Sequence, residues 1–323
     1  MQIQKHHPDN GDGWTLDLKQ TWDPERLDPS RPPIAMIPGY GMNAFILGYH
    51  PNGPSLEAYL ANAGFEVWSV NLRGQGRSNR RHGPRDYGFR QLALVDLPCA
   101  LDTIRRHSQT EAEAIDLIGC SLGATIMYAY TAHHPDSHGV GRLINIGGPL
   151  RWDNPHPLMR AVFLSPRLAG AVPIRGTRKL ARAVLPIAQR VPAVLSIYMN
   201  TDIVDLTHAD QLVQTVDNPN RRLNRQLACW MRDRDLIIDG LNITHALARV
   251  DLPLLCILAN KDGIVPPQAV LSVRDAIGSD DITVLKVGDD RTWFAHADLF
   301  ISRFAQERVF QPLVEWLERD AAG

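Results

Sequence analysis

A serine stands at the centre of the pattern Gly119-Cys120-Ser121-Leu122-Gly123, which has the form G-x-S-x-G. Residues 114–118 before it are mostly apolar, as in a buried strand, and residues 122–133 after it are rich in alanine, as in a helix. A sharp strand-to-helix turn can hold a serine hydroxyl above a sheet in a strained conformation. The pattern therefore predicts a nucleophile at Ser121, although a non-catalytic glycine-rich turn would look similar.

A serine hydroxyl is a weak nucleophile at neutral pH, so it needs a base, and the base needs an orienting acid. For a serine in this kind of turn, the acid and then the histidine follow along the chain. His296 is the only histidine beyond residue 245, and Asp262 follows the apolar run 252–258 in a turn of glycine and proline. We therefore expect His296 as base and Asp262 as acid, with Asp153 as the alternative acid.

Two backbone amides are candidates to stabilise a negatively charged oxygen beside Ser121. The short apolar run 34–37 is followed by the loop 38–43, Pro-Gly-Tyr-Gly-Met-Asn, in which glycines allow N–H groups to converge. If this loop faces Ser121, the amides of Tyr40 and Leu122 form an oxyanion hole. An ordinary strand-to-helix turn is the alternative.

Strands and helices must alternate to bring these residues together. The pattern predicts an antiparallel edge strand over 13–22, and strands over 34–37, 65–71, 114–118, 142–146, 252–258 and 282–287. It predicts helices over 55–63, 90–106, 122–133, 268–277 and 305–319, with breaks near Pro98 and Pro312. This order is typical of an α/β protein with a mostly parallel, doubly wound sheet, in which ligands bind at the carboxyl ends of the strands.

A long segment without strand patterns interrupts this alternation. We expect a helical cap over 150–250, inserted between core parts 1–149 and 251–323, because prolines divide this segment into short helices. A cap would shield an apolar substrate, but the segment could also be a protein-binding surface. The candidate pocket residues, which could instead be ordinary packing, are Met42, Met159, Phe163, Leu195 and Met199.

Composition excludes several classes of function. The 323 residues carry a net charge of −1, so there is no overall basic character for nucleic acid, and the arginines between 73 and 90 are expected in a solvated loop. No apolar run approaches the ~20 residues needed to span a bilayer, and residues 1–10 lack the pattern of an export signal. We expect a cytoplasmic protein with four free cysteines and no integral membrane association. Oligomeric state is left open.

The chain resembles the α/β-hydrolase superfamily over nearly its whole length. The resemblance rests on PGYG at 38, NLRGQGRS at 71, GCSLG at 119, NKDGIVPP at 260 and HADLF at 296. Residues 55–74 are similar to acid lipases, and NRQLACWMRDRDLIIDG from residue 224 resembles polyhydroxyalkanoate synthases, as does VFQPLVEWL near the end. The resemblance implies an α/β-hydrolase fold and the triad Ser121, Asp262 and His296.

Two departures from these relatives bear on the chemistry. Polyhydroxyalkanoate synthases have a cysteine nucleophile where this chain has Ser121, and acid lipases have histidine where Pro38 stands. The sequence therefore favours a serine carboxylic-ester hydrolase that acts on an apolar, lipid-like ester without metal or organic cofactor. The alternatives are an acyltransferase or polyester-handling enzyme, a carbon-carbon bond hydrolase or haloperoxidase-like enzyme, and a non-catalytic small-molecule receptor.

Overall fold

An eight-stranded sheet forms the centre of the molecule in the computed structural model, which describes residues 1–163, 165, 176–179 and 195–319. Four further strands form two short pairs, β2 with β6 and β9 with β10. The strands are β1 Gln2–His6, β2 Trp14–Thr15, β3 Asp17–Trp22, β4 Ile34–Ile37, β5 Val67–Asn71, β6 Asn79–Arg80, β7 Ile115–Cys120, β8 Val140–Ile146, β9 Ile237–Ile238, β10 Leu241–Asn242, β11 Leu254–Ala259 and β12 Ile282–Val287.

The order of strands across the large sheet is β1-β3-β5-β4-β7-β8-β11-β12. All neighbours from β5 to β12 are parallel, whereas β1 and β3 are antiparallel. The mostly parallel sheet is confirmed. The edge position predicted for residues 13–22 is wrong, because β1 covers the outer side of β3. Four of the five residues of β1 are exposed, so this strand lacks the apolar alternation that identifies a half-buried strand.

Helices and short turns connect the strands. The helices are α1 Leu56–Asn62, α2 Phe89–Gln91, α3 Leu97–His107, α4 Leu122–His133, α5 Pro157–Val162, α6 Ala209–Leu212, α7 Arg221–Asp233, α8 Ile243–Ala246, α9 Pro267–Leu271, α10 Asp298–Ile301 and α11 Gln311–Glu318. Shorter 3₁₀ turns occupy Ala44–Gly48, Val213–Thr215 and Leu247–Arg249, and π-helical turns occupy Leu92–Asp96 and Gln306–Phe310. The predicted helix 90–106 is interrupted by the π turn but continues through it, since Gln91, Asp96 and Leu97 all keep helical backbone angles, and Pro98 follows that turn.

Apolar side chains cover both faces of the sheet. Along β4, Ala35 and Ile37 pack into one apolar cluster, and Ile34 and Met36 pack into a second cluster on the opposite face. Buried residues of α3 and α4 belong to the first cluster, and buried residues of α1 and α11 belong to the second. This arrangement confirms the doubly wound sheet, because successive strand residues point to opposite faces.

The segment between β8 and β11 contains α5 to α8 and the β9–β10 hairpin. Its later part packs on the core, since Leu223, Trp230, Ile243 and Leu247 belong to the same apolar cluster as the buried residues of α4. Within the predicted cap, residues 164, 166–175 and 180–194 lie outside the described residues, so the division at 150 and 250 stays a prediction. In the described part of the chain, no helix is long and apolar enough to cross a bilayer.

Candidate active site

Ser121 lies in the turn between β7 and α4, at the carboxyl end of a central strand. Its backbone has φ 54° and ψ −122°, a conformation that costs a non-glycine residue free energy. A Cβ atom at Gly119 would lie 2.3 Å from Ala124 Cα, and one at Gly123 would lie 2.1 Å from the Ile37 carbonyl oxygen. Glycines at both positions therefore allow the strand, the turn and the helix to approach closely.

His296 and Asp262 form a buried pair at the same edge of the sheet. His296 Nδ1 lies 2.6 Å from Asp262 Oδ2, and the two side chains are 6% and 1% exposed. The other oxygen of Asp262 accepts hydrogen bonds from the backbone N–H groups of Ile264 and Val265, both at 2.8 Å. With its Nδ1 proton donated to the carboxylate, the imidazole has Nε2 as its proton acceptor.

The turn after β8 links the serine to the histidine. A Cβ atom at Gly148 would lie 2.4 Å from the Ser121 carbonyl oxygen, and one at Gly147 would lie 3.2 Å from His296 Cε1. The Asn145 side chain fixes this turn by accepting from the Gly148 N–H at 2.7 Å and donating to the Gly148 carbonyl at 2.9 Å. The Ser121 turn and the His296 ring thus pack against two adjacent glycines. The sequence indicates this packing only through the glycine pair that follows the predicted strand 142–146.

A short stretch of the segment between β8 and β11 joins the loops of Asp262 and His296. The carbonyl of Ile197 accepts from the Gly263 N–H at 3.1 Å, and the carbonyl of Tyr198 accepts from the Ala297 N–H at 2.8 Å. The Asn200 side chain donates to the Trp293 carbonyl at 2.9 Å. Backbone groups make most of these contacts, so the sequence carries no signal for them.

Asp298 anchors the loop that carries His296. Its carboxylate accepts from the Ala295 N–H at 2.7 Å and from the Asn200 N–H at 2.9 Å. Burial raises the pKa of Asp298 to about 7, against the lowering effect of these hydrogen bonds. Asp298 therefore ties Ala295, the residue before His296, to Asn200 of the neighbouring stretch.

Asp153, the alternative acid, pairs with an arginine and not with His296. Its carboxylate is 3.6 Å from the Arg151 guanidinium, which also lies 2.8 Å from Asp235. Within the described part of the chain, the carboxylate that meets His296 belongs to Asp262.

The loop after β4 lies directly against Ser121. A Cβ atom at Gly39 would come within 2.8 Å of Ser121 Cβ, so the next residue, Tyr40, borders the serine. Leu122 is the first residue of α4, where backbone N–H groups have no partner within the helix. Among the described residues, the N–H groups of Tyr40 and Leu122 donate no hydrogen bond. Two donors that no described residue uses therefore belong to residues next to Ser121.

Two apolar pockets lie on either side of Tyr40. The smaller, of about 50 Å³, contains Ser121 and Leu122 and is lined by the predicted residues Met159 and Phe163. The larger, of about 270 Å³, is lined by the other three predicted residues, Met42, Leu195 and Met199. The Tyr40 hydroxyl donates to Asn224 Oδ1 at 2.5 Å, which fixes the ring between the two pockets.

Cys120 is buried next to the serine, on the face of the sheet covered by α1 and α11. Burial raises the pKa of its thiol, so the thiol stays protonated and packs as an apolar group. All four cysteines lie in the described part of the chain and are free thiols. Across the same described ranges, no three histidine, cysteine or acidic side chains are grouped to hold a metal ion.

Comparison with known proteins identifies a family and several similar chains. The model of the family described as Hydrolase_4, serine aminopeptidase, S33, matches residues 54–287, which include Ser121 and Asp262 and end before His296. Human Lipase member N is 30% identical over 132 residues, which are 38% of this chain and 32% of that lipase. Mouse gastric triacylglycerol lipase is 32% identical over 112 residues, which are 32% of this chain and 28% of that lipase. The chain thus spans about a third of the length of the curated relatives it matches.

Solved structures share the fold over nearly the whole chain. An esterase from Rhodococcus sp. ECU1013 superposes with a TM-score of 0.64 at 16% identity, over 99% of each chain. A thermophilic esterase from Thermogutta terrifontis superposes with a TM-score of 0.64 at 18% identity, also over 99% of each chain. At these identities the likeness concerns the fold alone.

Proposed function

Since the chain belongs to the α/β-hydrolase family described as Hydrolase_4, serine aminopeptidase, S33, we propose that it is a serine hydrolase of carboxylic esters. The observation that carries this proposal is the buried hydrogen bond between His296 and Asp262, beside the glycine turn that also packs on Ser121. A strained serine with an oriented imidazole nearby is the arrangement that acyl transfer requires.

In the proposed reaction, Ser121 Oγ attacks the acyl carbonyl while His296 Nε2 takes its proton. Asp262 holds the imidazole and stabilises its positive charge, and the N–H groups of Tyr40 and Leu122 stabilise the oxyanion. The alcohol leaves with the proton from His296, and an acyl group remains on the serine. Water then attacks this acyl-enzyme with His296 again as base, which releases the acid and restores Ser121.

The lining of the pocket at Ser121 favours an apolar ester over a peptide. Its walls include Pro149, Trp152, Leu227, Met231 and Val265, and none of the described residues that line it is acidic. An aminopeptidase needs a group that binds the ammonium at the substrate's N-terminus, and a carboxylate would serve. The similar curated proteins are named as lipases, which supports an ester substrate. A cytoplasmic location stays a prediction.

Labelling and turnover together test this proposal. We expect a fluorophosphonate probe to label Ser121, and the protein to hydrolyse p-nitrophenyl esters in a series from acetate to palmitate. Ser121→Ala should lower ester turnover by about 10³-fold or more and abolish labelling, because it removes the nucleophile. Ser137→Ala, at an exposed serine in the turn after α4, serves as the control and should keep both the ester turnover and the labelling.

The outcomes separate the alternatives. Full turnover by a folded Ser121→Ala protein would contradict the nucleophile assignment. Labelling with product that partitions toward an added alcohol would indicate an acyltransferase. Labelling without turnover of any ester would redirect the search to carbon-carbon bond cleavage, and a folded protein that is not labelled would be a small-molecule receptor.

A further inference from the structure

A second cavity adjoins the pocket at Ser121. It has a volume of about 320 Å³ and shares three wall residues with that pocket, namely Trp152, Phe163 and Met231. We call it the arginine vestibule, after the arginines in its lining, which consists of Trp152, Asp153, Pro155, Arg160, Phe163, Met231, Arg232 and Arg234. The three shared side chains therefore place the vestibule next to the pocket at Ser121.

The charges of the vestibule are unbalanced. Arg232 lies 2.7 Å from Asp233, so its charge is compensated by a neighbour. Arg160 and Arg234 are not within 4 Å of a carboxylate anywhere in the described part of the chain. The single acid of the lining, Asp153, lies 3.6 Å from Arg151. Arg160 and Arg234, both exposed, therefore lack a counter-charge among the described residues.

A buried donor lies in the wall between the two cavities. Trp152 is 4% exposed, and its indole N–H meets no acceptor among the described residues. Because this N–H is buried, Trp152 presents its apolar ring to both cavities.

We propose that the arginine vestibule binds a carboxylate at one end of the substrate, an inference that rests on the proposed ester hydrolysis at Ser121. Guanidinium groups bind carboxylates with paired, charge-assisted hydrogen bonds. A neutral ester has no charged group for two such arginines to bind. The substrate class is an ester with a reacting carbonyl at Ser121, an apolar stretch past Trp152, Phe163 and Met231, and a carboxylate at Arg160 and Arg234.

Two matched pairs of esters test this class, one for each side of the ester bond. On the acyl side, mono-p-nitrophenyl suberate carries the carboxylate and p-nitrophenyl octanoate is its neutral match. On the alcohol side, 4-(octanoyloxy)benzoate carries the carboxylate and 4-methylphenyl octanoate is its neutral match. We expect kcat/KM to favour the anionic member of at least one pair by about tenfold at low salt, and less at high salt.

Arginine variants connect that preference to the vestibule. In Arg160→Gln/Arg234→Gln, the ratio of anionic to neutral kcat/KM should fall about tenfold, and Arg160→Lys/Arg234→Lys should restore part of it because the charge returns. The ratio of the two kcat/KM values does not depend on the folded fraction of the protein, because both esters are measured with the same sample. Arg274→Gln removes an exposed arginine outside the vestibule lining and controls for net charge.

Each result has one meaning. A preference that falls in the glutamine double variant and not in Arg274→Gln supports the inference, and the pair that shows it tells which side of the ester enters the vestibule. No preference in either pair, a preference that survives the double variant, or an equal loss in Arg274→Gln overturns it. Failure of the proposed function would differ, because neutral esters would then show no turnover that depends on Ser121.

Discussion

Gly148 lies against the backbone of Ser121 with no room for a side chain, since a Cβ atom at residue 148 would come within 2.4 Å of the Ser121 carbonyl oxygen. The same atom would lie 2.3 Å from Ala124 Cβ in the first turn of α4. The strained serine therefore depends on a neighbouring turn, 27 residues along the chain, as well as on the glycines of its own pattern.

Gly148→Ala should consequently impair both folding and the proposed chemistry. The inserted methyl group must displace the Ser121 turn, which we expect to cost about 1–3 kcal/mol of unfolding free energy. A shift of about 1 Å in the nucleophile can lower kcat about 100-fold. Urea denaturation and p-nitrophenyl ester turnover measure the two effects.

Gly48→Ala is the matched control for this substitution. Its Cβ would lie 3.1 Å from Lys19 Nζ and 3.3 Å from Glu57 Oε2, which have to shift by only a few tenths of an ångström. We expect nearly normal stability and turnover. Wild-type values for Gly148→Ala would show that the turn does not constrain Ser121.

Asp298 should make stability depend on pH in an unusual direction. Burial raises its pKa in the folded protein to about 7, above the value of about 4 expected in the unfolded chain. Between these values the folded state keeps a proton that the unfolded state has lost. The contribution of Asp298 to the free energy of unfolding therefore falls as the pH rises from about 4 to 7, with a slope of up to about 1.4 kcal/mol per pH unit.

Urea denaturation at pH 5, 6 and 7 checks this prediction. Other groups also titrate in this range, so the informative quantity is the difference in slope between the wild type and Asp298→Asn. Asp290→Asn, at an exposed carboxylate before the same loop, should keep the wild-type slope. Equal slopes in the wild type and Asp298→Asn would contradict the raised pKa.

The sequence predicts the sheet and the positions of the site residues because both depend on patterns that are local along the chain. Apolar runs of four to seven residues mark the buried strands, and the positions of Ser121, Asp262 and His296 follow from the strand ends. The contacts that hold them are not local. The stretch 197–200 joins the loops of Asp262 and His296 mainly through backbone groups. Every residue type has these groups, so the sequence does not indicate the contacts.

Arg73 shows that the sequence also fails to predict which charged side chains are buried. The sequence places it in a solvated basic loop, and this is wrong for that residue, which is fully buried. Its guanidinium bonds to Asp96 at 2.8 Å and to Asp12 at 2.6 Å, partners that lie 23 and 61 residues away. An arginine in a glycine-rich loop is indistinguishable from an exposed one until distant carboxylates meet it.

Asp96→Ala should therefore destabilise the fold strongly. It would leave the buried Arg73 guanidinium without its main partner, which costs about 3–5 kcal/mol for a pair of this kind. Arg77→Gln, at an exposed arginine of the same loop, should change the free energy of unfolding by less than about 0.5 kcal/mol. Similar denaturation midpoints for the two variants would show that burial of Arg73 is not important for stability.

The hydrogen bond from Tyr40 to Asn224 should limit the length of the acyl chain that the site accepts. The Tyr40 ring lines both the pocket at Ser121 and the larger apolar pocket of about 270 Å³. If Asn224→Ala or Tyr40→Phe releases the ring, the two spaces can join, and each further buried methylene stabilises binding by about 0.8 kcal/mol. We expect the ratio of kcat/KM for p-nitrophenyl decanoate to that for the butyrate to rise about tenfold.

Two different substitutions make this prediction specific. Tyr40→Phe keeps the ring and the proposed backbone donor and removes only the hydroxyl, whereas Asn224→Ala removes the acceptor from α7. Gln226→Ala changes a residue of the same helix whose side chain bonds to the Phe89 N–H and lines neither pocket, so its ratio should stay at the wild-type value. A rise in only one of the first two variants would point to local repacking, because loss of a shared hydrogen bond must act through both partners.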